Sequence, residues 1–223
     1  MRSQTGLITT LLQAGNDPNQ ILFKLALREA LQGCESVLDI GCGVTPTLRQ
    51  LGVSRSCGAE GYAPSFAEAK RQNTHDELVQ CDVRELSNHF QSGQFDACIA
   101  LDVIEHLPKA DGLKLIADME KIASKRVVFF TPSGFLEQHH ASNDDLQEHL
   151  SGWEAEEMEK LGYHVMGQLG PKSLRGAYHA LKYKPARFWG LVSLAGQLAR
   201  CKQSPAESAA ILCVKTLSAA SNI

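Results

Sequence analysis

The sequence predicts a single α/β domain built on a parallel sheet with helices on both faces. Three observations carry this. Short apolar runs alternate with helical periodicities along the chain, the pattern of repeated strand–helix–strand units. A length of 223 residues suits one core and is short for two independent ones. A glycine pair, Gly41 and Gly43, follows directly on the first apolar run, where such sheets turn into a helix beside a ligand.

The elements follow in order. Asp17-Pro18 opens a helix with a side-chain cap and a proline at its start, and Gly33 stops it. Ser36 to Ile40 is a buried strand entering a tight turn. Ser56 to Glu60 is a second strand, with a helix from about Ser65 to Arg71. Glu77 to Cys81 is a third strand and Phe95 to Leu101 a fourth, followed by a helix from about Ala110 to Ser124. Arg126 to Thr131 is a fifth strand, closed by Pro132-Ser-Gly134. Ser151-Gly-Trp-Glu154 has the spacing of a capping box, predicting a helix from Ser151 to Leu161 with Gly162 as its stop. Tyr163 to Leu169 and Ala210 to Thr216 are the sixth and seventh strands. Residues 170–207 interrupt the return to the last strand; within them Phe188 to Ala195, flanked by Arg187 and Arg200, is apolar and helical in part. That helix either packs over the sheet edge or substrate site, or forms a surface touching lipid through residues 187–200.

Composition narrows the class. The formal net charge is −3 and the pI about 6.2, so the whole chain lacks the basic footprint of a nucleic-acid binder. Lys172, Arg175, Lys182, Lys184 and Arg187 make the one cationic cluster. The seven cysteines are scattered without a C-x-x-C pair, against a zinc knuckle or a thioredoxin-like motif. Cys42, Cys57, Cys81 and Cys98 fall in strands or at their ends, as small buried hydrophobes do. Neither a signal-peptide pattern nor a membrane-length apolar run is present, so the expected setting is reducing and cytoplasmic.

The chemistry starts at Val37-Leu-Asp-Ile-Gly-Cys-Gly43. Glycines there let the backbone pass close to a ligand. A dinucleotide site would want a third glycine where this chain has Pro46. Asp39, inside the motif, fits a cationic amine better than a pyrophosphate.

V-L-D-I-G-C-G resembles motif I of the class I S-adenosylmethionine-dependent methyltransferases, and further signposts of that superfamily follow in order over roughly residues 35–135. The resemblance implies a Rossmann-like doubly wound sheet of seven strands in the order 3-2-1-4-5-7-6, the last antiparallel. In this single domain, residues 1–34 are N-terminal helices, 35–135 the cofactor half, and 136–223 the substrate half with its helical insertion at 170–207. It also implies S-adenosylmethionine as cofactor, held by Asp39, Gly41, Cys42 and Gly43, by Glu60, Gly61 and Tyr62, by Asp82 and Val83, and by Leu101 and Asp102. Glu60 takes the ribose hydroxyls, as a carboxylate accepting from a vicinal diol can, and Asp82 the adenine amino group. Leu101-Asp-Val-Ile-Glu-His-Leu107 looks like the post-strand-four motif of the ubiquinone-biosynthesis-like, type 11 branch. F-F-T-P-S-G-F at 129–135 and H-L-S-G-W at 149–153 resemble a group of bacterial-type enzymes carrying T-P-N-G-F and H-L-S-G-W. Two positions depart from the pattern: Thr45-Pro46 replaces the usual third small residue of motif I, and Ser133 stands where Asn is frequent.

Candidate acid–base groups are His106, His140 and His149, since imidazole titrates near neutral pH; each has a structural alternative, as a helix-start or loop residue. His139, beside His140, reads as an exposed loop residue. Asp102-x-x-Glu105-His106 with a later histidine is also similar to the metal pattern of small-RNA terminal 2′-O-methyltransferases, but no metal site is assigned from sequence. The expected activity is methylation, at oxygen, of a small-molecule or glycan acceptor. A metal-assisted RNA 2′-O-methyltransferase and a non-catalytic cofactor-binding module are the alternatives; DNA is not expected as a partner, and the missing basic surface disfavours RNA.

Overall fold

The computed structural model describes residues 17–138 and 147–218. The chain opens with α1 (Asn19–Ala30). The Asp17 carboxylate accepts the Asn19 amide at 3.0 Å, satisfying a donor that the helix end would orphan. Strand β1 (Ser36–Ile40) follows, then α2 (Thr47–Leu51), β2 (Arg55–Glu60), α3 (Ala63–Gln72), β3 (Glu77–Gln80), the short α4 (Leu86–His89) and β4 (Phe95–Leu101). The second half runs through α5 (Lys109–Ile122), β5 (Ala123–Pro132), α6 (Ala155–Lys160), β6 (His164–Pro171), α7 (Ala186–Gly196) and β7 (Ser208–Thr216).

The strands form one sheet in the order β3-β2-β1-β4-β5-β7-β6, as expected. β1 lies parallel between β2 and β4, with Leu38 beside both Cys57 and Cys98. β7 runs antiparallel to β5 and to β6. Side chains on successive strand residues point to opposite faces, and both faces are covered. Leu38, Ile40, Cys98, Ala100, Val127, Phe129, Ile211 and Cys213 pack on one side with Leu115, Met119 and Trp153. Val37, Ala97, Ile99, Val128, Phe130, Ala210 and Leu212 pack on the other with Leu27 and Leu48. Each fully buried Leu, Ile, Val or Phe contributes about 1.5–3 kcal/mol, so the alternating runs hold the sheet between its two layers.

The chain turns outward from β1 to β3 and then returns to β4, which places a topological switch point between β1 and β4. Open α/β sheets bind ligands at the carboxyl ends of the strands at such a point.

Two sequence expectations change. Ser151 does not cap a helix: α6 begins at Ala155 after Glu154, and the Ser151 hydroxyl instead donates to the Ile104 carbonyl at 3.2 Å and accepts from the Trp153 indole at 3.0 Å. Burial of Trp153 (0% exposed) pulls the segment inward and takes the cap with it. Arg175 leaves the cationic cluster. It is 4% exposed, donates to Asp17 and to the His179 carbonyl at 2.7 Å each, and also bonds Leu169 and Ser193. Although burial pushes the Asp17 carboxyl up, Arg175 holds it below the usual carboxylate range. This network ties α1 and the insertion to β6.

The four strand cysteines are buried, and burial pushes the thiols of Cys81 and Cys57 up to about 11 and about 12. They are inert packing groups. Among the described residues no helix is long and apolar enough to cross a membrane.

Candidate active site

The carboxyl ends of β1, β2 and β3 build one half of the site. Gly41 has φ +63°, and a Cβ there would meet Val103 Cγ2 at 2.6 Å, so only glycine makes this turn without strain. The Gly41 amide donates to Ala59 O at 2.8 Å, drawing the turn against the end of β2, and Cys42, Gly43 and Tyr62 follow on the same rim. Glu60 joins the rim together: its carboxylate accepts the Gly43 amide and the Tyr62 amide, each at 2.8 Å. Gly61 lies close to the Cys81 carbonyl, which a Cβ would approach to 3.2 Å. Asp82 follows β3 and accepts the Arg84 amide at 2.9 Å; its ion pair with the Arg84 guanidinium holds it below the ordinary carboxylate range. Val83 packs, partly buried, against the core beneath.

Asp39 is buried within β1 (4% exposed). Its partner is His75, whose Nε2 lies 3.2 Å from the carboxylate while Nδ1 contacts Thr74 Oγ1 at 2.9 Å. Burial raises the Asp39 carboxyl above its usual value, and His75 opposes the rise. A buried carboxylate so placed gains from a cationic ligand. His75 has no motif of its own in the sequence; it arrives from the loop before β3, 36 positions away.

The loops after β4 and β5 build the other half. Leu101 packs against the core. Asp102 has φ +54°, and Tyr178 and His179 across the cleft have φ +54° and +55°. Non-glycine residues hold this conformation at a cost of roughly 1 kcal/mol or more each. His179 Nε2 lies 3.0 Å from Asp102 Oδ1. Glu105 is 2% exposed and accepts from Thr131 Oγ1 at 2.9 Å. Burial, then the Asp102 carboxylate beside it, push Glu105 well above the usual carboxylate range.

His106 and His149 stand edge to face, ring centres 4.9 Å apart. His106 Nδ1 contacts the Glu148 carbonyl at 3.0 Å, and His149 Nδ1 the Leu136 carbonyl at 2.6 Å. Since a carbonyl only accepts, both Nδ1 atoms carry protons, and in each neutral ring the lone pair sits on Nε2. The segment holding His149 is pinned to the turn holding Glu105: Leu150 and Ser151 donate their amides to Glu105 O at 2.8 and 3.0 Å. Among the described residues, Glu105, His106 and His149 form the group whose possible metal-ligating atoms all lie within 4.8 Å of one another. Together with Asp102, Gln138, Tyr178 and His179 they line a cleft of about 260 Å³.

The structure therefore brings His106 and His149 together, 43 positions apart in the chain, and sets Asp102 on the cleft wall. His140 lies outside the described residues. His75 and His179 enter the site without any signal in the sequence pattern, while Thr131 belongs to the F-F-T-P-S-G-F segment.

Residues 38–131, from β1 to β5, match the methyltransferase domain family. Among solved structures, the methyltransferase domain of bacterial CtHen1-C is 16% identical, with 88% of this chain and 97% of that chain covered and a TM-score of 0.56. A SAM-dependent methyltransferase from Archaeoglobus fulgidus is 14% identical over 88% of this chain and 93% of that one, TM-score 0.53. A Pyrococcus horikoshii OT3 protein is 18% identical and matched over half of this chain and 55% of its own length, TM-score 0.45. No curated protein matches the chain.

Proposed function

We propose that this chain is an S-adenosylmethionine-dependent methyltransferase that methylates an oxygen of a small-molecule or glycan acceptor. The observation that carries the reading is the succession of Asp39, Gly41, Glu60 and Asp82 along one rim at the switch point, opening beside a cleft that holds three histidines and a buried carboxyl. The match of residues 38–131 to a methyltransferase domain supports it.

The residues fit the cofactor. Asp39 offers a buried carboxylate to an ammonium group, Glu60 an acceptor for vicinal hydroxyls, and Gly43 a backbone with open space where a Cβ would stand. When bound, S-adenosylmethionine supplies an electrophilic methyl group on a sulfonium centre. The chain's own part is alignment and proton handling. Nε2 of His106 or His149 is the atom that accepts the acceptor hydroxyl's proton, and the Nδ1–carbonyl bonds keep each ring in the tautomer that this requires. Asp102 and His179, 3.0 Å apart on the cleft lining, orient the acceptor.

The clustering of Glu105, His106 and His149 favours a second reading, in which these three side chains would hold a divalent cation that would supply Lewis acidity towards an acceptor hydroxyl, an RNA ribose included. Metal-bound histidines commonly donate their other ring N–H to a carbonyl, as His106 and His149 are placed to do. A calorimetric titration with S-adenosylmethionine tests the first reading: binding is expected in the wild type and lost in Asp39→Ala, and wild-type protein that takes up no cofactor refutes it. Methyl transfer surviving in excess chelator, with no thermal shift on adding Mg²⁺ or Mn²⁺, refutes the second.

A further inference from the structure

The helix α7 sits on β6 with its amphipathicity reversed. Gly190 and Ser193 of α7, and Gln197 and Cys201 of the π-helical turn (Gln197–Cys201) that continues it, face inward. Ser193 donates to Leu169 O at 3.1 Å and accepts from Asn19 Nδ2 at 3.2 Å, while Gln197 donates to Gly167 O at 2.6 Å and accepts from Gly170 N at 2.7 Å. With helix docking done by small and polar groups, the apolar residues are left outside. Phe188 is 56%, Leu191 62% and Leu198 58% exposed. Their spacing, with Val192 and Ala195 between, follows one helical stripe. Surface helices of globular proteins bury that stripe instead.

The surroundings are cationic. Between Lys172 and Ala206 the chain carries no acidic residue, although the whole protein has net charge −3. Lys182, Lys184, Arg187, Arg200 and Lys202 flank the stripe in sequence and are all exposed, Arg200 lying 3.8 Å from Glu207. Tyr183 stacks on Trp189 at 4.8 Å, and aromatic rings with a polar edge suit a membrane–water boundary.

We infer that this outward face of α7 docks on an anionic lipid bilayer, Phe188, Leu191 and Leu198 entering the headgroup boundary and the cations pairing with lipid phosphates or carboxylates. A second copy of the chain is the poorer occupant, because an isologous contact sets the same patch against itself and would oppose cations with cations. An anionic surface complements them; each such cation contributes about fivefold to partitioning, screened by salt. The same segment supplies Tyr178 and His179 to the acceptor cleft, so docking carries part of that wall towards the bilayer.

Co-sedimentation of the full chain with phosphatidylcholine vesicles, with and without phosphatidylserine, tests this without reference to methyl transfer. Binding is expected only to the anionic vesicles and should fall at high salt. The double variant Phe188→Glu/Leu191→Glu should lose about a hundredfold or more in partitioning, since each buried side chain carries at least tenfold, with an unchanged unfolding midpoint. Arg187→Ser/Arg200→Ser, which leaves the apolar stripe intact, should reduce the preference for anionic lipid. Wild-type protein that ignores anionic vesicles overturns the inference. So does equal binding by the Glu variant, or a wild-type dimer that this variant dissolves.

Discussion

Replacing Gly41 by alanine isolates the feature on which the proposed cofactor rim depends. At φ +63° an alanine sits in the left-handed region, which costs about 1–2 kcal/mol. Its Cβ would also lie 2.6 Å from Val103 Cγ2 and 3.2 Å from Cγ1, and relieving such overpacking costs roughly 1–3 kcal/mol. Gly41→Ala should therefore destabilise the ligand-free protein by about 2–5 kcal/mol. The two contributions separate in a double-mutant cycle. Val103→Ala removes both clashing methyls but leaves the backbone conformation untouched. In that background Gly41→Ala should cost only about 1–2 kcal/mol, giving a coupling of about 1–3 kcal/mol. Urea denaturation of the four proteins reads each free energy directly. Identical cost in both backgrounds would show that Val103 does not close on the turn, and the account of why glycine stands there would fail.

Three other outcomes follow from the same geometry. Because Asp39 is raised by burial, the ligand-free fold keeps a proton that the unfolded chain releases. Stability should thus fall as pH rises from the ordinary carboxylate range through the raised folded-state value; Asp39→Asn should abolish that limb, and cofactor affinity, needing the carboxylate, should rise over the same window only in the wild type. Calorimetry across pH with equal slopes in both proteins would contradict this. Trp153→Ala should cost about 3–5 kcal/mol, as large buried aromatics do, and should free His149 from its place beside His106; a loss under about 1 kcal/mol in denaturant would refute the anchoring role. Arg175→Met should cost roughly 3–5 kcal/mol by leaving the Asp17 carboxylate without its partner, and the variant should lose the stability that the wild type sheds as acid protonates Asp17. An acid limb unchanged by the substitution would exclude the pair as its source.

The strands themselves, the glycine turn and Asp39 within it were legible because each depends on local chain, whereas the strand order, Glu60 and Asp82 came with the family resemblance. A buried strand needs a short apolar run, a left-handed turn needs glycine, and both stand consecutively in Val37 to Gly43. The antiparallel last strand and its place between β5 and β6 came with the family resemblance rather than with any run of residues. Ser151 misled because a capping box is a local pattern, and burial of Trp153 outweighed it. Arg175 misled for the same reason: its neighbours in sequence are exposed lysines, while its partner Asp17 is 158 positions distant.

By itself, then, the sequence determined the layered α/β domain and the glycine turn with its buried acid, since periodicity and turn chemistry act over a few residues. Only the tertiary structure decided which side chains meet in the candidate site. Asp39 meets His75, Asp102 meets His179, and Glu105 gathers His106 with His149, all through crossovers of the sheet that no spacing along the chain encodes. It decided as well which side of α7 faces outward, because that depends on what β6 presents to it: the Gly167, Leu169 and Gly170 backbone groups that Ser193 and Gln197 satisfy.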